Sequence, residues 1–453
     1  TKASWGLLSV LILGASASAA VIVLLHYPVL VILSTRVVDL RISGLIAALC
    51  LFAAPSVFLG AVSPMAVRLS LNDLQHSGSA VGRLYALSTI GSLLGTFGCG
   101  FFVFAYLPTT TAILLFSTAL FIASLIADPA SKLPAKILLG IVIAVLFFYN
   151  HSIRRHLQAS GIVDVDTPYQ RAFVLTQQDA AAQRTYRLLV TDMLGSQSMV
   201  YLDAPETLAG HYTAYYELVK YFSPGFKKIA VLGGGAYTVP KYFAANYPDV
   251  QIDVVEIDAG FTKVARDYFF LKDRANLRIF HEDARTWLRR TAGGYDAVFI
   301  DAFQSSPAVP FHLTTHEAFA DVLRILDKDG VVLMNIICAV EGKEGRFLRA
   351  EYAVMKSLFA DVRLYAVTAP PNIPASGHTV QNLMLAALKN PLADETTAPP
   401  GELRQLLLNE WKKPISADMP LLTDNFAPVD YYMLPAYLKW QQQIRTGAAK
   451  PPA

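Results

Sequence analysis

The sequence predicts two joined parts: an N-terminal multi-span α-helical membrane domain, and a C-terminal α/β domain preceded by a small β-unit. Three observations carry this. The chain of 453 residues is 54% hydrophobic, and the apolar excess lies in residues 1–150, which hold no Glu and only ten charged side chains. Residues 229–317 alternate short apolar runs with helix-like stretches, the pattern of parallel βαβ units. Between these parts, around 169–205, lie short runs rich in β-branched and aromatic residues.

Taken in order, the N-terminal part offers five candidate spans, 5–27, 44–66, 84–107, 109–127 and 135–150. Each approaches the roughly 20 apolar residues that a bilayer core requires. A signal peptide would account for one such run but not five. The chain starts at Thr1 without Met, so further residues are expected ahead of it. Basic residues divide almost evenly between the two sides: Lys2, Arg68, Arg83, Lys132 and Lys136 against Arg36, Arg41, Arg154 and Arg155. The positive-inside rule therefore gives no orientation. No ionisable residue falls mid-span, which argues against an ion or proton path. In GRLYALSTIGSLLGTFGCG, Gly91, Gly95, Gly98 and Gly100 bare one helix face. Close helix packing is the expectation, with a homodimer seam or substrate path as the alternative.

Residues 151–168 read as a linker, with Arg154 and Arg155 suited to lipid headgroups. The runs YQRAFVLTQ, RTYRLLVT and SQSMVYLD within 169–205 read as a small antiparallel β-unit. The α/β domain should span 206–395, followed by an extension over 396–453. Its strands end in the turn GGGAYT (Gly233, Gly234, Gly235), then Glu256, Asp283 and Asp301. Ligands of such sheets sit outside the carboxyl ends of the strands, so these residues should face one. The glycines admit close backbone approach. A carboxylate one strand further on, Glu256, suits a ribose diol. Because the third glycine of G-x-G-x-x-G is absent, an adenosine-type ligand is expected rather than a dinucleotide. The competing reading is that the acids only cap helices. Thr314 and Glu317 have the spacing of a capping box before the next helix.

Those residues resemble the spermidine synthase branch of the class I methyltransferase-like, Rossmann-like fold. They resemble in particular the membrane-fused bacterial spermidine synthase-like proteins of the polyamine aminopropyltransferase family. Their turn commonly reads GGGGYT-x-P and their fourth strand runs into DAF…VP(Y/F)HLTT, against GGGAYTVP and DAFQSSPAVPFHLTT here. A GRLYALSTxGS segment and the tail LLTDNFAPVDYYM extend the likeness to both ends of the chain.

The resemblance implies a role for each candidate residue. Gln170, the glycine turn, Glu256 (ribose), Asp283 (adenine amino group) and Ala284 would bind the nucleoside. Asp301 would take the acceptor's proton, with Tyr212 beside it. Tyr237 and Gln304 would meet the substrate, and the tail would fold back beside the pocket. Independently of the resemblance, His312 could reach the pocket and meet the substrate, the alternative being a packed or hydrogen-bonded histidine. The implied donor is decarboxylated S-adenosylmethionine, or S-adenosylmethionine itself, with no metal.

Three positions depart from soluble spermidine synthases. Ala236 replaces the turn's Asp, Gln304 replaces the second acid of D-S-S-D, and the loop Tyr is absent near Pro374 and Ala375. The nucleoside half of the site is retained while the polyamine half is rewritten. Three readings follow: aminopropyl transfer to an amine or amphiphilic acceptor, methyl transfer, or a non-catalytic subunit of a membrane complex. The lipid bilayer is an expected partner, and a homodimer or membrane-complex partner a further one. A net charge of +3 without a basic–aromatic stripe argues against nucleic acid. Cys50, Cys99 and Cys338 have no metal-ligand spacing.

Overall fold

The structure is a computed structural model that describes residues 3–37, 39–70, 77–179, 183–192, 195–302, 309–367, 376–392 and 401–445. It divides into a helical unit, essentially residues up to Ser160, and an α/β unit comprising most of the remainder.

In the helical unit, α1 (Trp5–Arg36), α2 (Leu40–Ser70), α3 (Ser77–Gly98, extended by a π turn), α4 (Thr109–Ala127) and α5 (Leu133–Ala159) are each apolar and long. All five segments are long and apolar enough to cross a membrane. Helices α1 and α4 are joined by two serine pairs, Ser9–Ser124 at 3.0 Å and Ser16–Ser117 at 3.2 Å. The seven-residue spacing on both helices puts the pairs on one seam. Small hydroxyls let the two backbones approach closely and add hydrogen bonds between the helices.

Three expectations are corrected here. Lys136 is a buried residue of α5, not a loop charge; it donates to Ser9 Oγ (2.8 Å), Ser124 O (3.2 Å) and Asp128 O. Helix α5 continues to Ala159, so the first half of the expected linker is helix, and β-strand structure begins within it at Val163. A Cβ added at Gly91, Gly95, Gly98 or Gly100 would meet no atom within 4 Å, so the expected close packing on this face is not formed within the described residues.

The α/β unit opens with a four-stranded sheet: β1 (Val163–Asp166), β2 (Arg171–Asp179), β3 (Arg184–Asp192) and β4 (Gly195–Tyr201). A short helix α6 (Val219–Phe222) leads into a second sheet of β5 (Lys228–Leu232), β6 (Gln251–Val255), β7 (Leu277–Phe280), β8 (Tyr295–Ile300), β9 (Leu326–Cys338), β10 (Asp361–Ala366) and β11 (Gln381–Leu388). Its order is β10-β11-β9-β8-β5-β6-β7. Strands β5 to β9 run parallel, and β11 is antiparallel to both neighbours.

These strands read as near-continuous apolar runs because both faces are covered. Ile229 and Val231 enter one core with Tyr216, Phe243 and Phe299. Ala230 and Leu232 enter the other with Trp287, Val298 and Phe347. Helices α7 (Thr238–Asn246), α8 (Ala259–Tyr268), α9 (Ala284–Arg290), α10 (His316–Ile325) and α11 (Arg346–Leu358) fall between strands.

The C-terminal residues are not an appendage. After α12 (Glu402–Leu408), α13 (Val429–Arg445) buries Val429, Met433, Ala436 and Trp440 in the second core. Asp424 fixes the segment before it, accepting from Thr315 Oγ1 (2.6 Å) and Arg285 (3.1 Å). The capping of α10 also differs from expectation. Thr315, not Thr314, accepts from Ala318 N–H, and Glu317 accepts from Asp424 N–H.

Candidate active site

The strand order reverses between the parallel neighbours β5 and β8: from β5 the sheet continues to β6 and β7 on one side, and from β8 to β9 on the other. A crevice opens there at the carboxyl ends of both strands, where open α/β sheets bind ligands. The cavity found at this point is lined by Gly233, Gly234 and Asp301 from the strand ends and by Thr238, Val239 and Pro240 from α7. Gln197, Ser198 and Met199 of β4, with Ala209, Tyr212 and Tyr216, complete its wall.

The glycine turn is dictated by what it touches. Gly233 has φ +94°, and a Cβ there would lie 2.5 Å from the Asp301 carbonyl oxygen. Only glycine fits both the backbone angle and the gap. Gly235 has φ +52°, with Ser198 Oγ at 2.9 Å from its would-be Cβ. Ser198 Oγ also accepts from Ala236 N–H at 3.1 Å, so β4 is stitched directly to the turn.

Glu256, at the end of β6, is buried and points back under the same turn. Its Oε2 accepts from Gly234 N–H (2.8 Å) and Gly235 N–H (3.2 Å), and its Oε1 from Asp258 N–H (2.8 Å). Burial raises its pKa, and the three backbone hydrogen bonds pull the other way. The amides that would otherwise cradle a phosphate are occupied by this carboxylate, which disfavours a dinucleotide.

Asp301 follows β8. Tyr212 donates its hydroxyl to Asp301 Oδ2 at 3.2 Å, and Asn335 of β9 donates Nδ2–H to Oδ1 at 3.1 Å. Burial pushes the carboxyl up to about 6, and the two hydrogen bonds oppose that rise. Burial and the neighbouring Asp301 charge hold the Tyr212 phenol well above its usual range, so it is a donor here. A carboxylate with these properties is ionised at neutral pH and basic enough to take a proton.

The remaining expected residues fall as follows. Asp283 caps α9 by accepting from Thr286 N–H (2.9 Å), and its Oδ2 lies 3.0 Å from His312 Nε2. Ala284 is the first residue of that helix. Tyr237, expected at the substrate, is instead buried beneath the turn. Its ring packs on Gly234 and its hydroxyl lies 2.7 Å from Thr262 Oγ1. With φ +59° it closes the turn and starts α7, which is its structural task. Tyr215 and Tyr216, which follow Tyr212 in sequence, are core residues, with the Tyr216 ring tilted against Phe299 at a centroid distance of 4.8 Å. Gln170 precedes β2 and is not among the described lining residues, nor is the 421–433 segment, which binds at Thr315 and Arg285. Gln304, Pro374 and Ala375 lie outside the described residues. Among the described residues no cluster could hold a metal ion.

Sequence reasoning missed Asn335 and the β4 wall. The signal for Asn335 was present: a single amide within the apolar run VVLMNII, where a buried polar group needs a partner.

Comparison with known proteins follows the same lines. Residues 214–382 match the spermine/spermidine synthase domain family. A polyamine aminopropyltransferase of Vibrio vulnificus (strain CMCP6) is 28% identical over 222 residues, 46% of this chain and 71% of the relative. A probable polyamine aminopropyl transferase of Bifidobacterium longum (strain NCC 2705) is 26% identical over 216 residues, 44% of this chain. There the chain spans only 47% of the relative's length. A probable spermidine synthase structure from Corynebacterium glutamicum ATCC 13032 overlaps 50% of this chain and 80% of its own, at 24% identity and a TM-score of 0.43. The chain therefore carries a spermine/spermidine synthase domain at residues 214–382, homologous to the polyamine aminopropyltransferases.

Proposed function

We propose that the protein is a membrane-anchored aminopropyltransferase that moves the aminopropyl group of decarboxylated S-adenosylmethionine to an amine. One observation carries this reading: the Asp301 carboxylate, held at both oxygens by Tyr212 and Asn335, borders the cavity beside Gly233. In this reaction the acceptor nitrogen's lone pair attacks the carbon next to the sulfonium. The C–S bond breaks, its electrons pass to sulfur, and a neutral thioether leaves. The leaving group is already good, so the enzyme's work is alignment and removal of the ammonium proton. An alkylammonium has a pKa near 10, so a base at the attacking nitrogen is required. Asp301 takes that proton and passes it to water, and the reaction releases one proton overall. Glu256 would accept from the ribose hydroxyls with its remaining lone pairs, and Asp283 with His312 would border the base.

The five apolar helices are the proposed anchor in a bacterial inner membrane. The α/β domain would lie on the cytoplasmic side, since a charged adenosyl donor made in the cytosol does not cross a bilayer. Reporter fusions after residues 160 and 453 test this, and a periplasmic signal from either overturns it.

A second reading, methyl transfer from S-adenosylmethionine, is favoured by Ala236. Its turn carries no acid that would repel the donor's carboxylate, and Ala236 is fully buried. Incubation of the full chain in detergent with each donor and putrescine or hexylamine separates the two by product mass. Aminopropyl transfer adds about 57 mass units and methyl transfer about 14, from the groups transferred. Aminopropylated amine with release of methylthioadenosine is the expected product.

A further inference from the structure

We infer that the C-terminal segment 421–426 braces the nucleoside site, with Asp424 as the positioning residue that holds its adenine edge; this rests on the donor-binding reading above, in which Asp283 and His312 border the base. Asp283 caps α9, and His312 belongs to the 3-10 turn Phe311–Leu313 ahead of α10. The two meet at 3.0 Å. The edge is therefore shared between two elements, and its shape depends on how far apart they are held.

Asp424 joins the same two elements a second time. Its Oδ2 accepts from Arg285 Nη2 of α9 at 3.1 Å, and its Oδ1 accepts from Thr315 Oγ1, the cap of α10, at 2.6 Å. Arg285 lies two residues after Asp283, and Thr315 three after His312. The backbone fixes this carboxylate in turn. Asp424 N–H donates to Glu317 at 3.0 Å, and the buried Leu422 accepts from His316 N–H at 2.8 Å. Thr423 and Phe426 close the segment on itself with hydrogen bonds of 3.0 and 2.9 Å.

Charge makes the brace hard to replace. The Arg285 side chain is only 8% exposed, and its Nη1 has no hydrogen-bond partner among the described residues. Asp321 of α10 stands 3.6 Å from Arg285 Nε, too far for a hydrogen bond. The exposed Arg289 adds a longer contact to Asp424, at 3.7 Å. A guanidinium this buried needs a hydrogen-bonded counter-charge. Without Asp424 it must turn toward Asp321 or solvent, and the first turn of α9 moves with it. A binding group loses its precise placement when the contacts behind it are removed.

Calorimetry on the full chain in detergent tests this with methylthioadenosine and methylthioinosine, which carries an oxo group where adenine has its amino group. The wild type should prefer methylthioadenosine by at least about tenfold, the effect of losing a hydrogen bond to a charged group. Asp424→Asn keeps the size and an acceptor for Thr315 but removes the charge facing Arg285. Arg285→Met cuts the same brace from the α9 side. Each should lower the preference to about threefold or less, a coupling that a double cycle isolates. Asp418→Asn is the control, because it breaks a comparable pair from the C-terminal region, made with Arg349 of α11 at 2.6 and 3.0 Å. It should keep the full preference. Retention of that preference in Asp424→Asn or Arg285→Met overturns the inference, as does an equal fall in Asp418→Asn, which would mark a general loosening; both leave the donor-binding reading standing. A wild type that binds the two nucleosides alike overturns the placement of Asp283 at the base, and this inference with it.

Discussion

Asn335 Nδ2 lies 3.1 Å from Asp301 Oδ1, one strand away in the sheet, while Asn335 Oδ1 is buried without a hydrogen-bond partner among the described residues. The amide is thus committed to one task, donating to the carboxylate. Tyr212 takes the other oxygen at 3.2 Å. A base fixed at both oxygens presents its free lone pairs in one direction, which an approaching amine requires.

Asn335→Leu removes that donor while keeping volume and burial. The hydrogen bond opposes the rise of the Asp301 pKa, so its loss moves the acid limb of kcat/KM upward from about 6. Rate at pH 6 should fall more than rate at pH 8. Hexylamine turnover across pH 5–9 checks this, and an unshifted limb would mean that Asn335 only packs.

Asp301→Asn should stabilise the fold. Burial raises the folded carboxyl from 3.8 to about 6. The stability this group contributes is therefore complete below about pH 4 and lost as pH rises through about 6. At neutral pH the ionised side chain costs about 1–3 kcal/mol, from a shift of that size. Thermal unfolding of both proteins at pH 4 and pH 7.5 should show the variant gaining only at the higher pH. A constant difference at both values would place the effect elsewhere.

Glu256 has two tasks, and a single substitution confounds them. Glu256→Ala frees three backbone N–H groups as well as any ribose contact. A double cycle separates the two. For the wild type, 3′-deoxy methylthioadenosine should bind about ten- to a hundredfold more weakly than methylthioadenosine, the cost of a hydrogen bond to a charged acceptor. For Glu256→Ala the two ligands should bind alike. Calorimetry that finds the same deoxy penalty in both proteins would remove Glu256 from the ribose.

Gly233→Ala places a methyl against the Asp301 carbonyl and at a φ that alanine resists. A loss of about 3 kcal/mol or more is expected, since backbone strain and a backbone clash combine. Chemical denaturation measures it, and a change under about 1 kcal/mol would mean that the turn relaxes freely.

How far the site could be read in advance follows from what kind of interaction placed each residue. Strand ends were legible because parallel strands buried on both faces leave long apolar runs that stop at a glycine or a polar residue: Leu232 before Gly233, Ile300 before Asp301. Contacts made across the fold were not. Glu256 lies at the predicted strand end, but only the structure reveals that it turns back to the glycine amides. Thr314 and Thr315 are adjacent and chemically alike, so the helix cap could not be assigned by spacing. The α5 helix outran its apolar segment because Arg154, Arg155 and His156 end hydropathy without ending helicity. Lys136 was counted as a loop charge because its partners, Ser9, Ser124 and Asp128, come from two other segments. Tyr237 followed the glycine turn in sequence, yet its φ of +59° sends the ring into the core.

The central claim is that Asp301 removes the acceptor's proton. Its most direct test is kcat for hexylamine in wild type and Asp301→Asn, with methylthioadenosine affinity measured alongside. The account predicts a fall of about 10²–10⁴-fold in turnover, the range for a lost general base, with nucleoside affinity changed by no more than about threefold. Retention of more than about a tenth of wild-type turnover would contradict it.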